Sequence, residues 1–342
     1  MQRPANSVKR FEVREFGIDN LMLVEAETPH PGPDEVLVRL TAASLNYRDY
    51  MVVQGTYNPK LKRPIVPLSD GAGVVEEIGT NVTRLKTGDR VMGCFMQTWI
   101  GGPVTREKTR FALGGSVDGV LREFAVFSEQ GLVAVPNAWT DEEAATLPCA
   151  ALTAWHALFE NRPVVAGDAV LIQGTGGVST FALQFGKAAG VRAILISSSD
   201  EKLARARELG ADEGINYKRT PEWDDEARKL TRGVGVDHIV EVGGSGTIAR
   251  SLRAIRMDGV ISVIGALSGA EPSVSPVAIL MNSTRVQGVY VGSREMFERM
   301  NRAIELHSIR PVIDKVFDWM EIREALRYMA SQKHVGKICL RF

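Results

Sequence analysis

Hydrophobic residues follow two different rhythms along the chain, and the change falls near Pro136. From about residue 8 to 135, short β-branched runs alternate with turn residues, which predicts a β-rich module. Its clearest predicted strands are residues 35–40 (EVLVRL), 71–79 (GAGVVEEIG) and 89–95 (DRVMGCF). Residues 98–119 are rich in glycine and charged residues and predict a long mobile loop.

Beyond Pro136, short apolar runs alternate with segments of helical period. The runs predict four strands, at residues 170–172, 193–196, 238–242 and 260–264. Strands that alternate with helices in this way predict a parallel sheet with helices on both faces.

The helix boundaries are predicted from capping residues. One helix is expected at 200–210, where Gly210 follows its end, and another at 221–230, with Thr220 as N-cap and Pro221 as the first helical residue. A last helix, at 318–332, has Asp318 and Glu321 at capping-box spacing and leads to a terminal strand.

Residues 168–190 read DAVLIQGTGGVSTFALQFGKAAG, in the order strand, glycine turn, helix. Gly174 permits a tight turn, and Gly176 lets the backbone approach a pyrophosphate at the helix N-terminus. Ser179 stands where the last glycine of the motif is usual, a position that serves close packing of helix on strand. Serine is small and its hydroxyl can bond locally, so we expect a working dinucleotide cradle. The alternative is a glycine-rich turn without a ligand. The predicted cradle residues are Gly174, Thr175, Gly176, Gly177 and Val178.

The end of the next strand predicts which dinucleotide is bound. NAD sites usually carry an acid there for the ribose hydroxyls, but this strand runs into Ser197 and Ser198. Loss of the acid removes repulsion against a 2′-phosphate, and Lys202 could reach that phosphate as a point charge. Lys202 could equally be a solvated helix position, and Asp200 is expected to be the N-cap of the helix. NADP(H) is therefore predicted rather than NAD(H).

Composition excludes several classes of function. The chain has 342 residues, 44% of them hydrophobic, and its 41 basic side chains balance 41 acidic ones. A neutral chain has no general attraction to nucleic acid or anionic membranes, and no apolar run reaches the length of a membrane span. The three cysteines are widely spaced and odd in number, so no disulfide framework is expected. The first residues, MQRPANSVKRFEV, lack the apolar core of a signal peptide, so a cytoplasmic protein is expected.

Longer motifs extend over nearly the whole chain: residues 42–57, 69–79, 88–91, 147–158 and the terminal VGKICLRF. With the glycine turn, they resemble the zinc-free quinone oxidoreductase (zeta-crystallin-like) group of the medium-chain dehydrogenase/reductase superfamily. The resemblance implies an α/β fold with two domains. A GroES-like catalytic domain would comprise residues 1–136 and 310–342, and a Rossmann domain for NADP would comprise residues 137–309. It also implies a cleft between them for the nicotinamide and the substrate.

Zinc alcohol dehydrogenases of this superfamily carry Cys, a His-Glu pair and a second Cys at three motif positions. This chain has Asn46, then Ser69 and Asp70, and then Cys149 there. A catalytic zinc needs three protein donors and an open position, so no metal is expected, and Cys149 is expected to be a buried small hydrophobe. The four-cysteine structural zinc lobe is missing too, since only Cys94 lies near that region.

The resemblance also implies roles for individual residues. Tyr57 matches a tyrosine near the reacting thioester of zinc-free enoyl reductases, where a phenol can donate a hydrogen bond or a proton; aromatic packing is its alternative. Asn46 would orient substrate or cofactor. Asp49 occupies a recurrent acid position, and a role that only braces the loop is its alternative. Tyr47 and Tyr50 are expected to pack.

The remaining predicted cofactor contacts come from four segments. Thr153 matches a threonine beside the nicotinamide, and Tyr217 matches a tyrosine that flanks the adenosine 2′-phosphate. Further contacts are expected at the ends of two following strands, from Val242, Gly243, Ile264 and Gly265.

These observations predict an NADPH-dependent, zinc-free oxidoreductase that reduces a quinone or an activated C=C bond, as in an enone or enoyl substrate. An alcohol dehydrogenase acting on a small alcohol or aldehyde is one alternative, which the missing zinc ligands oppose. A nucleotide- or RNA-binding protein on the same scaffold is another, opposed by the neutral charge and by the lack of a basic–aromatic stripe.

Residues 283–292 (STRVQGVYVG) follow the main strands of the predicted Rossmann domain. In the family that the chain resembles, the corresponding outer strand pairs with its partner across a twofold axis. Such pairing satisfies an edge that otherwise exposes unpaired backbone groups, so a homodimer or a dimer of dimers is expected. Pairing or cover within one chain is the alternative.

Overall fold

A computed structural model describes residues 7–265, 274 and 276–342. The described residues form fifteen strands: β1 (Ser7–Val13), β2 (Leu21–Glu27), β3 (Glu35–Ser44), β4 (Asp70–Ile78), β5 (Arg90–Gly93), β6 (Phe124–Ser128), β7 (Leu132–Ala134), β8 (Ala169–Gln173), β9 (Arg192–Ser197), β10 (Glu213–Asn216), β11 (Val236–Glu241), β12 (Ile255–Val263), β13 (Arg285–Gly288), β14 (Ile313–Asp318) and β15 (Lys337–Arg341).

They also form ten α-helices: α1 (Tyr47–Gln54), α2 (Asp141–Ala145), α3 (Leu152–Trp155), α4 (Gly177–Ala188), α5 (Asp200–Glu208), α6 (Trp223–Leu230), α7 (Ile248–Ala254), α8 (Pro276–Met281), α9 (Arg294–Leu306) and α10 (Ile322–Ala330). Two π-helical segments, Leu147–Ala151 and His156–Glu160, flank α3. No helix in the described ranges is long and apolar enough to cross a membrane.

The chain divides into two compact units, Met1–Leu152 with Val291–Phe342, and Thr153–Tyr290. The sequence placed these boundaries at 136/137 and 309/310. The second boundary differs for a physical reason, because the start of α9 bonds to the loop of the first unit. The backbone N–H groups of Arg294 and Glu295 donate to the carbonyls of Trp99 and Ile100, at 2.9 Å each.

The first unit is β-rich, as expected. Its main sheet has the strand order β14-β15-β3-β4-β5-β7, with β6 also paired to β3, and β1 and β2 form a separate hairpin. The sheet buries one apolar core, in which Phe11, Val38, Leu68 and Leu326 are at most 3% exposed. All pairs in the main sheet are antiparallel except β14 with β15.

The second unit is built on a six-stranded parallel sheet of order β10-β9-β8-β11-β12-β13. Every residue of β8, AVLIQ, is buried, as expected for a strand covered on both faces. The four strands predicted after Pro136 are β8, β9, β11 and β12. The expected α/β class, with a β-rich unit and a parallel-sheet unit, is confirmed.

Two helix starts differ from the predictions. Ser199, in extended conformation, caps α5 by accepting the Lys202 N–H, so Asp200 is the first helical residue rather than the N-cap. Helix α6 begins at Trp223, which is 3% exposed, rather than at Pro221 with a Thr220 cap. The Trp223 side chain packs in the apolar core of the second unit at this helix start.

Three other local predictions are confirmed. Gly210 follows α5 with φ 104°, in the left-handed region that glycine tolerates. The Asp318–Glu321 capping box is present, although it caps a 3₁₀ turn that precedes α10. Residues 98–119 contain neither a regular helix nor a named strand, which confirms a loop, and buried Trp99 and Leu113 anchor it in the first unit. The mobility of this loop stays a prediction.

Strand β13 is the outer strand of the parallel sheet, as expected, and all four of its residues are exposed. The Val289 N–H donates to the Val263 carbonyl at 2.9 Å, which continues the ladder with β12. Because N–H groups alternate along a strand, those of Val286 and Gly288 point away from β12.

Candidate active site and cofactor site

Three neighbouring strands of the β-rich unit bring polar residues together at one end of its sheet. Ser44 of β3 lies opposite both Asp70 of β4 and Cys339 of β15. The residues next to these positions, including Asn46 and Lys337, therefore meet although they are far apart in the sequence.

These residues form a closed circuit of polar contacts, which we call the polar ring: Lys337, Asn46, Ser69 and Asp70. Lys337 Nζ donates to Asn46 Oδ1 at 2.6 Å, and Asn46 Nδ2 donates to Ser69 Oγ at 3.4 Å. Ser69 Oγ donates to Asp70 Oδ1 at 2.6 Å, and Asp70 Oδ2 lies 3.9 Å from Lys337 Nζ. Ser69 and Asp70 are fully buried and Lys337 is 3% exposed, whereas Asn46 is partly exposed.

Burial raises the pKa of the Asp70 carboxyl, and the Lys337 ammonium opposes that rise. The Cys149 N–H donates to Asp70 Oδ2 at 3.2 Å, from one of the π-helical segments. Cys149 is partly exposed, so the expectation of a buried small hydrophobe is wrong at this position. Removal from bulk water, together with the Asp70 carboxylate, raises the pKa of its thiol, which therefore stays protonated.

Asp49 lies in the first turn of α1 and is fully buried. Its Oδ2 accepts the backbone N–H of Asn46 at 2.8 Å, which holds the loop before the helix. Its Oδ1 has no hydrogen-bond partner among the described residues. Burial, reinforced by Asp70 and opposed by Arg48, raises the pKa of Asp49 to about 7.

Tyr57 follows α1, after Gly55 ends the helix with φ 76°. Its ring is 41% exposed and lies 5.0 Å from the Arg48 guanidinium, which donates to the Leu113 carbonyl. Asn46 is therefore bonded directly to Asp49, whereas Tyr57 is positioned by the cation–π contact of its ring with Arg48. Tyr47 and Tyr50 pack on the core, as expected.

The residues at the zinc-ligand positions do not fit a metal. Among residues 7–265, 274 and 276–342, no group of three His, Cys, Asp or Glu side chains could hold one. The Asn46 oxygen already accepts from the Lys337 ammonium, and the Ser69 hydroxyl already donates to Asp70, so neither side chain is available as a metal donor. Lys337 was missed from the sequence; the only signal was a lysine inside the apolar terminal strand.

The glycine turn has the geometry that a pyrophosphate needs. Gly174 has φ 73°, which favours glycine, and a Cβ added to Gly176 would meet nothing within 4 Å. Gly176 precedes the twelve-residue helix α4, whose N-terminal N–H groups and dipole favour an anion. Ser179 is buried and donates to the Gln173 carbonyl at 2.6 Å, so its hydroxyl ties helix to strand.

A buried carboxylate organises the next loop along the sheet edge. Glu241, the last residue of β11, accepts N–H bonds from Gly243 and Gly244 at 3.0 Å each and from Gln173 Nε2 at 2.7 Å. Gln173 Oε1 in turn accepts from the backbone of Val242 and Gly243. Neither Gln173 nor Glu241 was picked out from the sequence, because both end apolar strands without any motif.

The predicted residues after β12 lie at the same edge. The N–H groups of Ile264 and Gly265 donate to the Glu241 carbonyl, at 2.9 and 3.4 Å. A Cβ on Gly265 would come within 2.5 Å of the Val242 carbonyl, so glycine is needed for this close approach. The structure therefore brings Val242, Gly243, Ile264 and Gly265 together, while Thr153 is buried in α3.

The residues predicted to select the cofactor also lie near one another. Ser197 ends β9, followed by Ser198, and its carbonyl accepts the Tyr217 N–H at 3.0 Å. Lys202 stands in the first turn of α5. Sequence reasoning missed Arg219, which pairs with Asp200 at 2.5 Å and so offsets one of the two acids, Asp200 and Glu201, in the first turn of α5.

Comparison with known proteins places both units in one family. The model for the alcohol dehydrogenase GroES-like domain matches residues 32–137, and the model for zinc-binding dehydrogenases matches residues 177–306. A zinc-type alcohol dehydrogenase-like protein of Schizosaccharomyces pombe is 46% identical over 95% of this chain and 96% of its own length. A quinone oxidoreductase-like protein 2 of Bos taurus is 27% identical over 93% and 88%.

Solved structures agree on the fold. An NAD-dependent alcohol dehydrogenase is 32% identical and superposes with a TM-score of 0.90, covering 98% of this chain and 99% of its own. The 2-octenoyl-CoA carboxylase reductase CinF, solved with NADP and 2-octenoyl-CoA, is 26% identical with a TM-score of 0.86, covering 99% and 88%.

Proposed function

The chain belongs to the medium-chain dehydrogenase/reductase superfamily, and we propose that it is a zinc-independent reductase that uses NADPH to reduce a quinone or an activated C=C bond. The observation that carries the proposal is the polar ring. A lysine ammonium is bonded to Asn46 at a position where alcohol dehydrogenases of this superfamily carry a zinc ligand. A site without a Lewis acid suits acceptors whose reduced oxygen anion is only weakly basic or conjugated.

NADPH, when bound, supplies the hydride. The cofactor would be held by the glycine turn, the Glu241-braced loop and the residues after β12. Reduction places negative charge on the acceptor oxygen, and the partly exposed Asn46 amide is the group that donates an N–H to it. Asp49 holds the backbone of Asn46, and Tyr57, with its exposed phenol, delivers the proton that completes the product.

The test is a panel of quinones, enones, enoyl thioesters and alcohols, scored by NADPH consumption or by NADPH formation in reverse. We expect NADPH consumption with quinones or activated C=C substrates and none with simple aldehydes. The names of the alcohol dehydrogenase relatives favour a second candidate, alcohol oxidation. Turnover confined to alcohols and aldehydes would replace our proposal with that one.

We expect the purified protein to contain no stoichiometric zinc and to keep its activity after chelation. The reason is that Asn46 and Ser69 are already bonded to Lys337 and Asp70, so these positions cannot supply three metal donors. Elemental analysis together with assays before and after chelation measures this. One zinc per chain, with activity lost on its removal, would contradict the expectation.

Lys202→Ala should weaken NADPH binding and leave NADH binding nearly unchanged. A charge-assisted contact to the 2′-phosphate contributes about 1.5–3 kcal/mol, which corresponds to a loss of roughly tenfold or more in affinity. Fluorescence titration of both cofactors measures the change. Arg207→Ala, on the same helix, removes an equal charge and is the control. An equal loss in the two variants, or equal NADPH and NADH affinity of the unsubstituted protein, would refute the assignment.

We propose a homodimer formed through the exposed edge of β13, with a pair of such dimers as the larger alternative. Val286→Pro should dissociate it, because proline removes an outward-facing edge N–H, and Val286→Thr should not. Val289 is unsuitable for this test, since its N–H serves the subunit's own ladder. Light scattering reports the assembly. A monomeric unsubstituted protein, or a Val286→Pro protein that stays dimeric, would rule out this interface.

A further inference from the structure

Lys337 is a buried lysine, and lysine is almost never buried without partners. Its side chain is 3% exposed. The ammonium donates to the Leu45 carbonyl at 2.7 Å and to Asn46 Oδ1 at 2.6 Å, and it lies 3.9 Å from Asp70 Oδ2. The Leu45 carbonyl, the Asn46 amide oxygen and the Asp70 carboxylate together offset the free-energy cost of removing the ammonium from water.

These contacts determine which end of the Asn46 amide points inward. An ammonium has three donors and no acceptor, so it tolerates only the amide oxygen as its neighbour. Ser69 gives its single proton to Asp70 and therefore presents a lone pair to Asn46 Nδ2. Each member of the polar ring thus donates to the next, from Lys337 to Asn46, then to Ser69 and then to Asp70. If the Asn46 amide were flipped, its N–H groups would face the Lys337 ammonium, which has no acceptor for them.

Asn46 is also the only member of the polar ring that a substrate can reach. Ser69 and Asp70 are fully buried and Lys337 nearly so, whereas Asn46 is partly exposed at the start of α1. An amide carries two N–H bonds, and the contact with Ser69 occupies one of them.

We propose that Lys337 is a positioning residue for reduction: its ammonium fixes the Asn46 amide so that an N–H, and not the carbonyl, faces the substrate oxygen. The inference rests on the proposed function. In this role Lys337 acts through Asn46 and has no contact with the substrate.

The first test is Lys337→Met, which keeps the length of the side chain and removes its charge. We expect kcat to fall on the order of 10- to 100-fold with KM nearly unchanged, because an oxyanion donor is lost in the transition state. Lys333→Met, an exposed lysine just before the same strand, is the matched control and should behave as the parent. A Lys337→Met enzyme with parental kcat would overturn the proposal.

A double-mutant cycle separates positioning from general support of the fold. In an Asn46→Ala background, Lys337→Met should add less than about a threefold further loss of kcat, because the amide that Lys337 positions is already absent. Additive losses would overturn the proposal. If Lys337→Met does not fold, Asn46→Asp decides: it keeps the acceptor for Lys337 but has no N–H, so its kcat should equal that of Asn46→Ala. Parental kcat in Asn46→Asp would be the contrary result.

A third measurement does not depend on activity, so it distinguishes failure of this inference from failure of the proposed function. In NMR spectra of isotope-labelled lysine side chains, the buried ammonium should give a solvent-protected signal that Lys337→Met removes and Asn46→Ala shifts. A signal unmoved by Asn46→Ala means that the two side chains are not coupled, whatever the substrate. An enzyme inactive with every acceptor in the panel, but with the shift present, refutes the proposed function alone.

Discussion

Asp49→Asn should remove the contribution by which Asp49 makes the protein less stable as pH rises from about 4 to about 7. Burial raises the pKa of Asp49 from its ordinary value of 3.8 to about 7. Between these values the folded protein holds a proton that the unfolded chain has lost, so the free energy of unfolding decreases as pH rises. At about 1.4 kcal/mol per pKa unit, the full effect is at most roughly 4 kcal/mol.

Denaturant unfolding at several pH values measures this effect, as the difference between variant and parent. The stabilising contribution of Asp49 is fully present below pH 3.8 and is lost as pH rises through about 7. The free energy of unfolding of the variant, relative to that of the parent, should therefore increase toward alkaline pH. Asp212→Asn is the control, and its effect on stability should change with pH in the opposite direction. Burial alone would raise the pKa of Asp212, but the Lys187 ammonium outweighs burial and lowers it. Parallel pH profiles for Asp49→Asn and the parent would show that Asp49 ionises freely in the folded protein.

Glu241→Ala should destabilise the parallel-sheet unit and abolish tight cofactor binding. The substitution removes an acceptor that five donors share, on Gln173, Gly243, Gly244, Thr247 and Ser251. Gln173, Gly243 and Thr247 keep a second acceptor, whereas the Gly244 N–H and the Ser251 hydroxyl lose theirs. Breaking a buried polar network costs about 3–5 kcal/mol, and the loop that holds the predicted Val242 and Gly243 contacts loses its brace.

Two measurements test this, the unfolding midpoint in denaturant and titration with NADPH. Glu241→Gln is the matched variant, because it keeps the shape and one acceptor oxygen; it should lie between the parent and the alanine variant. Glu241→Ala with the parental midpoint and parental NADPH affinity would show that this carboxylate has no organising role.

The sequence was informative where a local pattern determines structure. The glycine turn, the parallel sheet and its outer strand follow from residue order, so that Gly174, Gly176 and the role of Ser179 could be predicted. The N-cap of a helix was harder to predict where two suitable capping residues are adjacent in the sequence. Ser199 and Asp200 are both good caps, and only the backbone conformation shows that Ser199 serves.

The polar ring could not be predicted from local patterns. Lys337 and Asn46 are separated by 291 residues, and they meet only because β15, β3 and β4 pair in that order. The same applies to Gln173 and Glu241, which end two adjacent parallel strands. A charged residue at the end of an otherwise apolar strand was the one signal available, and it indicates burial without revealing the partner.

The polar ring also bears on how such a protein could exchange its chemistry during evolution or redesign. Its single positive and single negative side chain compensate each other, so the site is already electrically complete. A cysteine introduced at position 46 alone would meet an ammonium and form a thiolate–ammonium pair instead of a metal ligand. A route to a metalloenzyme therefore has to remove Lys337 before or together with the installation of ligands, and removing it beforehand leaves the buried Asp70 carboxylate without its counterpart.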